Sequence, residues 1–184
     1  MFKRLRGPKV KATTDNETLN SLRKTIENYI GYDDVKDRAK TDKGLRNFLY
    51  TILLDLIDTY SIVQNQLMQA QLLSTWSASN AILAMLNELR ALLTMDVYRH
   101  STFFETPNVS ENLEISVLYL LESETILTIK DVKENMLKVS QKLTDLDLFE
   151  IERDIFVIRD NIDEVKLTIS DRAELIASFE IVGI

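Results

Sequence analysis

The 184-residue chain is 45% apolar and 28% charged, which is typical of a folded globular protein and excludes an intrinsically disordered one. It contains no Cys, so disulfides and thiolate metal sites are excluded, and its formal net charge is −7. Gly and Pro are absent from residues 45–106 and 108–182. Because β-sheet folds need turn residues at short intervals, these stretches predict an all-α fold, a helical bundle built from long antiparallel helices.

Residues 1–14 are predicted to form a basic flexible arm ahead of a single helical-bundle domain at residues 15–184. The arm carries five positive charges and no acidic residue, whereas the rest of the chain has 17 basic and 29 acidic residues, a net charge of −12. Such an arm suits nucleic acid, an anionic membrane or an acidic protein surface. The candidate residues for these contacts are Lys3, Arg4, Arg6, Lys9 and Lys11.

The arm lacks the apolar stretch of a secretory signal peptide. The most hydrophobic segment, residues 48–63, contains Asp55 and Asp58, which we expect on the wet side of a helix. Each would cost about 2.5–3.5 kcal/mol at the centre of a bilayer, so this segment is predicted to be a core helix. We therefore expect a cytoplasmic protein.

A first helix is predicted at residues 16–30, with Asp15 as its N-cap and Gly31 in the left-handed conformation just after its end. The highly charged segment 32–43 that follows is interpreted as either a short solvated helix or a linker, closed by Gly44.

From residue 45 to about residue 100 the apolar residues keep a helical spacing. One helix of this extent would be about 84 Å long, so we predict two antiparallel helices at 45–73 and 80–98. The intervening segment 74–80 is poor in strong helix formers. It contains Trp76, which we expect to fill the core, with a partner contact at an exposed tip as the alternative.

The segment 101–109 is predicted to be a loop. Its Phe103 and Phe104 are expected to pack into the end of the bundle, and they are also candidate partner contacts. Beyond it we predict helices at 109–123 and 129–143, the first preceded by capping-box spacing between Asn108 and Glu111. A last short helix is predicted to begin at Asp171, after the heptad helix described next.

An uninterrupted heptad stripe predicts a coiled-coil-like C-terminal helix. Its β-branched residues favour a bundle of three or four helices over a parallel dimer, either within one chain or between subunits. Further apolar residues off the stripe, Phe149, Phe156, Val157 and Leu167, predict a second buried face. The residues of this candidate oligomer or core seam are Leu148, Ile151, Ile155, Ile158, Ile162, Val165 and Ile169.

No recognised catalytic, cofactor or metal motif occurs in the sequence. His100 is the only His, so sites that need two are excluded, and its spacing from Asp96 indicates an ion pair at a helix end. Glycine-rich phosphate loops and the GxSxG motif are also absent. We expect a protein without enzymatic activity, cofactor or metal.

Three functional hypotheses follow. The first is a non-enzymatic scaffold or assembly protein that acts through protein–protein contacts and self-association, as a homo-oligomer. The second is a nucleic-acid-binding regulator, in which short helices at 115–143 form a helix-turn-helix-like core and the basic arm contacts phosphates. The third is a protein held at a membrane surface by the arm.

Overall fold

The computed structural model describes residues 12–94, 101–105 and 112–179, with side chains described from residues 16 and 115 onward in the first and last ranges. These residues form helices with two 3₁₀ turns and no β-strand, so the predicted all-α fold is confirmed. None of the described helices combines the length and hydrophobicity needed to cross a membrane. The helices are α1 (Ala12–Thr25), α2 (Val35–Gln69), α3 (Trp76–Thr94), α4 (Asn112–Thr144) and α5 (Ile151–Ala177), and the 3₁₀ turns are Leu73–Thr75 and Thr102–Phe104.

Two antiparallel hairpins, α2–α3 and α4–α5, pack side by side and form the bundle. Hydrogen bonds between the hairpins fix their relative direction: Gln66 of α2 bonds to Ser140 of α4 at 2.8 Å, and Lys166 of α5 bonds to Glu88 of α3 at 2.8 Å. The helix pairs α2/α4 and α3/α5 are therefore parallel neighbours, and α1 packs against α4. We call the end with the hairpin turns at residues 70–76 and 145–150 the apex, and the opposite end the base.

The predicted seam is covered within one chain. Six of its residues, all on α5, are buried, whereas Leu148 precedes the helix and is 42% exposed. Each buried Ile contributes about 1.5–3 kcal/mol by the removal of its side chain from water. The seam therefore forms part of a monomer core, which also contains apolar residues from the other four α-helices.

The α2–α3 hairpin matches the prediction with a shifted turn. Gln69 ends α2 and Trp76 begins α3, so the turn precedes the Ser-rich segment instead of lying within it. Ser79 follows the turn and is buried in α3, because a small side chain fits where the two helices approach. The low helix propensity of this segment is outweighed by its tertiary packing.

Three predicted helix boundaries are wrong. α4 runs without a break through the interruption predicted between 123 and 129, because Ile126 and Ile129 are buried and the Thr125 hydroxyl bonds to the Leu121 carbonyl one turn back. α5 likewise continues through Asp171. The first helix ends at Thr25 instead of residue 30 and begins at Ala12, so residues 12–14 are helical.

The charged segment 32–43 is neither a linker nor a solvated helix. Most of it forms the first turns of α2, capped by the Asp34 carboxylate, which accepts a hydrogen bond from the Lys36 amide at 3.0 Å. Gly44 lies inside α2 and does not end it. A Cβ there would lie 3.4 Å from the Glu27 carbonyl oxygen, an ordinary contact distance, so the α1–α2 connection packs against this part of the helix.

The described part of the connection from α3 to α4, residues 101–105, lies at the base. Its 3₁₀ turn contacts both α2 and α5, the diagonal pair of helices. Ser101 and Thr102 donate hydrogen bonds to the carbonyls of Ile176 and Phe179 at 2.5 and 2.6 Å, and Phe103 is buried beneath the turn. The expected packing of Phe103 into the end of the bundle is therefore observed, with Phe104 half-buried beside it.

Candidate interaction surface and the buried polar network

A group of charged side chains is buried inside the base. Glu122 of α4 accepts a hydrogen bond from Arg172 of α5 at 2.6 Å, and Arg172 also bonds to Asp42 of α2 at 2.8 Å. All three side chains are at most 5% exposed. Arg46, one turn along α2, pairs with the second oxygen of Asp42 at 2.9 Å. The network joins three helices and balances its own charge.

Tyrosine hydroxyls complete the hydrogen bonding of Glu122. Tyr32 donates to one carboxylate oxygen at 2.7 Å and Tyr29 donates to the other. Arg172 donates to the Tyr32 hydroxyl at 2.8 Å. Burial raises the pKa of Tyr29 and Tyr32 far above its ordinary value, and the negative charge of Glu122 raises it further. Both hydroxyls therefore stay protonated and act as donors.

The backbone before α2 is fixed by the same group of residues. Arg38 is buried and donates to the carbonyls of Tyr32 and Phe103, at 2.7 and 2.8 Å. The Thr41 hydroxyl bonds to both backbone groups of Gly31, at 3.1 and 2.9 Å. Gly31 has φ +122°, and a Cβ there would lie only 2.8 Å from the Tyr119 hydroxyl. Glycine is therefore required at this position.

The sequence contains an indication of this network, although no known site motif covers its residues. Arg172 follows Ile169 by three residues, so it occupies the next position of the heptad stripe. Asp42 precedes Leu45 and Leu49 at the same helical spacing. A charged residue on a core-facing stripe indicates a buried ion pair. Such a residue belongs to none of the known site motifs, so the motifs alone do not reveal it. Because the carboxylates and Arg172 are bonded to each other, we interpret the network as structural.

The apex has the opposite character, because its apolar side chains are exposed. Leu73 is 79% exposed, Leu146 78% and Phe149 73%. They come from both hairpin turns, which are held together at this end of the bundle. Met68, Leu148 and Trp76 are exposed beside them to between 38% and 52%. We call these six residues the apolar apex.

Both turns end their helices with a non-glycine residue in the left-handed conformation. Gln71 has φ 56° after α2, and Leu146 has φ 58° after α4. In each case the following amide bonds to a carbonyl five residues back, as in a Schellman motif, at 3.1 Å for Leu72 and 2.9 Å for Asp147. Glycine is preferred at this position, and a leucine there costs about 1–2 kcal/mol. The turn after α4 is therefore strained, and it exposes the apolar side chain of Leu146.

Acidic residues surround the apolar apex. Residues 142–154 hold five acidic and two basic side chains, a net charge of −3. The two basic residues are already paired, Lys142 with Asp154 at 2.7 Å and Arg153 with Glu150 at 3.3 Å. A groove of about 470 Å³ runs between the turns, with Leu72 and Leu148 among its apolar lining. The exposed acidic residues are Asp145, Asp147, Glu150 and Glu152.

The structure separates the predicted partner contacts. Trp76 lies at the exposed apex, as considered from the sequence, whereas Phe103 is buried and is wrong as a partner contact. The four residues of the predicted second buried face are 39% to 73% exposed in the single chain. The bundle of one chain therefore does not cover this face, and its burial by self-association stays a prediction. These four residues are Phe149, Phe156, Val157 and Leu167.

Other predicted residues have a simple outcome or lie outside the described residues. Asp55 and Asp58 are both exposed, as expected, and Asp55 pairs with Lys133 at 2.6 Å. Asp96 and His100 lie outside the described residues, as do Asn108, Glu111 and the five basic residues of the arm. Within the described ranges, no group of three or more His, Cys, Asp or Glu residues is placed to hold a metal ion.

Comparison with family models, with curated proteins and with solved structures finds no match for this chain.

Proposed function

We propose that this protein is a non-enzymatic scaffold or assembly protein whose apolar apex binds a protein partner. The observation that carries the proposal is the joint exposure of Leu73, Leu146 and Phe149 on two adjacent turns. Single exposed leucines are ordinary, but a contiguous apolar patch with a polar rim is typical of an interaction site. A cytoplasmic location is part of the proposal and agrees with the absence of Cys.

The geometry of the turns supports the same proposal. Backbone strain persists where it serves a function, and Leu146 adopts a left-handed conformation that glycine would adopt more easily. Aromatic residues, Met and Leu at the centre of a patch provide large contact areas once they are covered. The polar network at the base gives the apex a rigid support, because it ties α2, α4 and α5 together.

The two alternative functions receive less support. The single helix α4 replaces the short helices that a helix-turn-helix core would need at 115–143, so that part of the nucleic-acid hypothesis is wrong. The acidic residues around the apex would repel anionic lipid as well as nucleic acid. In both alternatives only the basic arm is left as the contact, and five charges give weak, salt-sensitive binding.

Site-specific photo-cross-linking in the native host tests the proposal. A photo-reactive amino acid replaces Leu73 or Phe149, and in the matched control it replaces Leu127, an exposed leucine on the side of α4. We expect protein adducts of defined mass from both apex positions and none from Leu127, with the adducts identified by mass spectrometry. Adducts at Leu127 equal in amount and kind to those at the apex would overturn the proposal.

A further inference from the structure

We infer that the occupant of the apolar apex is the basic arm, residues 1–11, of a second copy of this chain. This inference rests on the proposed function and deepens it by naming the partner. The arm combines five positive charges with the apolar residues Phe2, Leu5 and Val10. The apex combines exposed apolar side chains with a net charge of −3 over residues 142–154.

Charge complementarity favours the arm over other segments of the chain. The acidic residues Asp145, Asp147 and Glu152 make no ion pair with a described basic residue, so they are available to a cationic partner. Residues 1–11 contain no acidic residue to oppose this contact. Attraction between unlike charges orients the two surfaces, and burial of Phe2 and Leu5 against the apolar apex then supplies affinity.

The dimensions of the bundle favour a second copy over the same chain. Leu19 of α1 and Tyr119 of α4 lie beside each other at Gly31, near the base. From Tyr119 to the end of α4 the helix rises about 38 Å toward the apex. Glu27, just after α1, lies beside Gly44, which is nearer the apex than the Thr41 that bonds to Gly31. α1 therefore runs toward the apex, and Ala12 lies on the base side of Leu19. Leu5 and Phe2 are seven and ten residues before Ala12 and reach at most about 25 and 35 Å from it. The arm therefore falls short of the apex of its own chain.

An antiparallel arrangement of two copies satisfies both contacts at once. The arms leave from the base and bind at the apex, so two bundles lying side by side in opposite directions place each arm at the apex of the other. Such a pair has two-fold symmetry and closes as a dimer. A head-to-tail arrangement would leave one arm and one apex free and would extend into longer assemblies.

Disulfide trapping between full-length chains tests the inference, since the natural chain has no Cys. A chain with Leu5→Cys is mixed with an isotopically labelled chain with Ser74→Cys, which places a thiol at the exposed apex. The control partner carries Lys43→Cys, exposed on α2 near the base. We expect the mixed disulfide with Ser74→Cys to form about tenfold faster than with Lys43→Cys. Equal rates would overturn the inference.

A charge exchange provides a second readout in the same full chain. Asp145→Lys with Asp147→Lys weakens dimer formation about tenfold by light scattering at low salt, and so does the arm variant with Lys3→Glu, Arg4→Glu and Arg6→Glu. Mixing the two variants restores dimers, because the reversed charges again attract. The inference would be overturned if the mixture formed no dimers. It would also be overturned if a single chain with both Leu5→Cys and Ser74→Cys formed its disulfide only within itself. In that case, photo-adducts at Leu73 with a different protein would still support the proposed function, whereas no apex-specific adducts would overturn both.

Discussion

The base and the apex of this bundle reverse the usual distribution of polar and apolar groups. At the base, Glu122 and Arg172 are buried and hydrogen-bonded, although charged residues normally lie in water. At the apex, Leu73, Leu146 and Phe149 are exposed, although such residues normally lie inside. The two ends therefore differ in role. The buried ion pairs of the base fix how the hairpins pack, and the apolar side chains of the apex remain exposed.

Removal of one partner at the base has the largest expected effect. Arg172→Met leaves Glu122 and Asp42 buried without their cation, which destabilises the fold by about 3–5 kcal/mol. The matched control is Lys166→Met, since Lys166 pairs with Glu88 on the exposed surface and its loss should change stability little. Urea unfolding followed by circular dichroism measures both. Equal losses of stability in the two variants would show that the buried network contributes no more than an exposed ion pair.

Alkaline pH provides a second test, in which one buried tyrosine at a time has a smaller effect than Arg172. Burial raises the pKa of Tyr29, Tyr32 and Tyr119 above its ordinary value of about 10, and that of Tyr60 to about 12. Above pH 10 the unfolded chain loses these protons while the folded chain keeps them, so stability is fully present below pH 10 and falls as pH rises. Each tyrosine contributes about 1.4 kcal/mol per pH unit.

Tyr60 offers the simplest variant for this pH test, because it is outside the charged network and, among the described residues, the Ser79 hydroxyl is the side-chain group that acts on its buried hydroxyl. In Tyr60→Phe, the fall in the free energy of unfolding between pH 10 and 12 should be shallower by about 1.4 kcal/mol per unit. Urea unfolding at several pH values, with tyrosinate absorbance at 295 nm, measures this slope. An unchanged slope would mean that Tyr60 ionises equally in the folded and unfolded chain.

A glycine at the apex has the smallest expected effect, and its sign is opposite. Leu146→Gly removes the left-handed strain after α4 and should stabilise the fold by about 1 kcal/mol, seen as a melting temperature higher by about 2–4 °C. Leu127→Gly, at an exposed position inside α4, should lower stability by about 1 kcal/mol. If both glycines destabilise the fold, Leu146 is not strained in the native turn.

Sequence reasoning predicted those parts of the fold that depend on periodic apolar residues. The stripe from Ile151 to Ile169 was assigned to a helix face, and the structure buries it. The α2–α3 hairpin followed from the length of its apolar pattern, and the exposure of Asp55 and Asp58 followed from their charge. These features are local, because each depends on spacing within one helix.

The parts that escaped prediction depend on contacts between distant segments. Residues 123–129 look like a break because their Ser and Thr residues are weak helix formers, yet Ile126 and Ile129 are buried and α4 continues through the segment. The network joins Tyr32 to Arg172, 140 residues apart, and spacing within one helix does not reveal such a pair. The exposed apex could not be predicted, because the sequence does not show that the two hairpin turns lie at the same end of the bundle.

The buried network at the base also determines how the molecule bears force. Residues from both ends of the described chain meet there, with Tyr29 and Tyr32 on one side and Arg172 on the other. A pull on the two termini would load these hydrogen bonds before the helices, and the hairpins would come apart before either one unravelled. An assembly built from such units would yield first at the joint between hairpins.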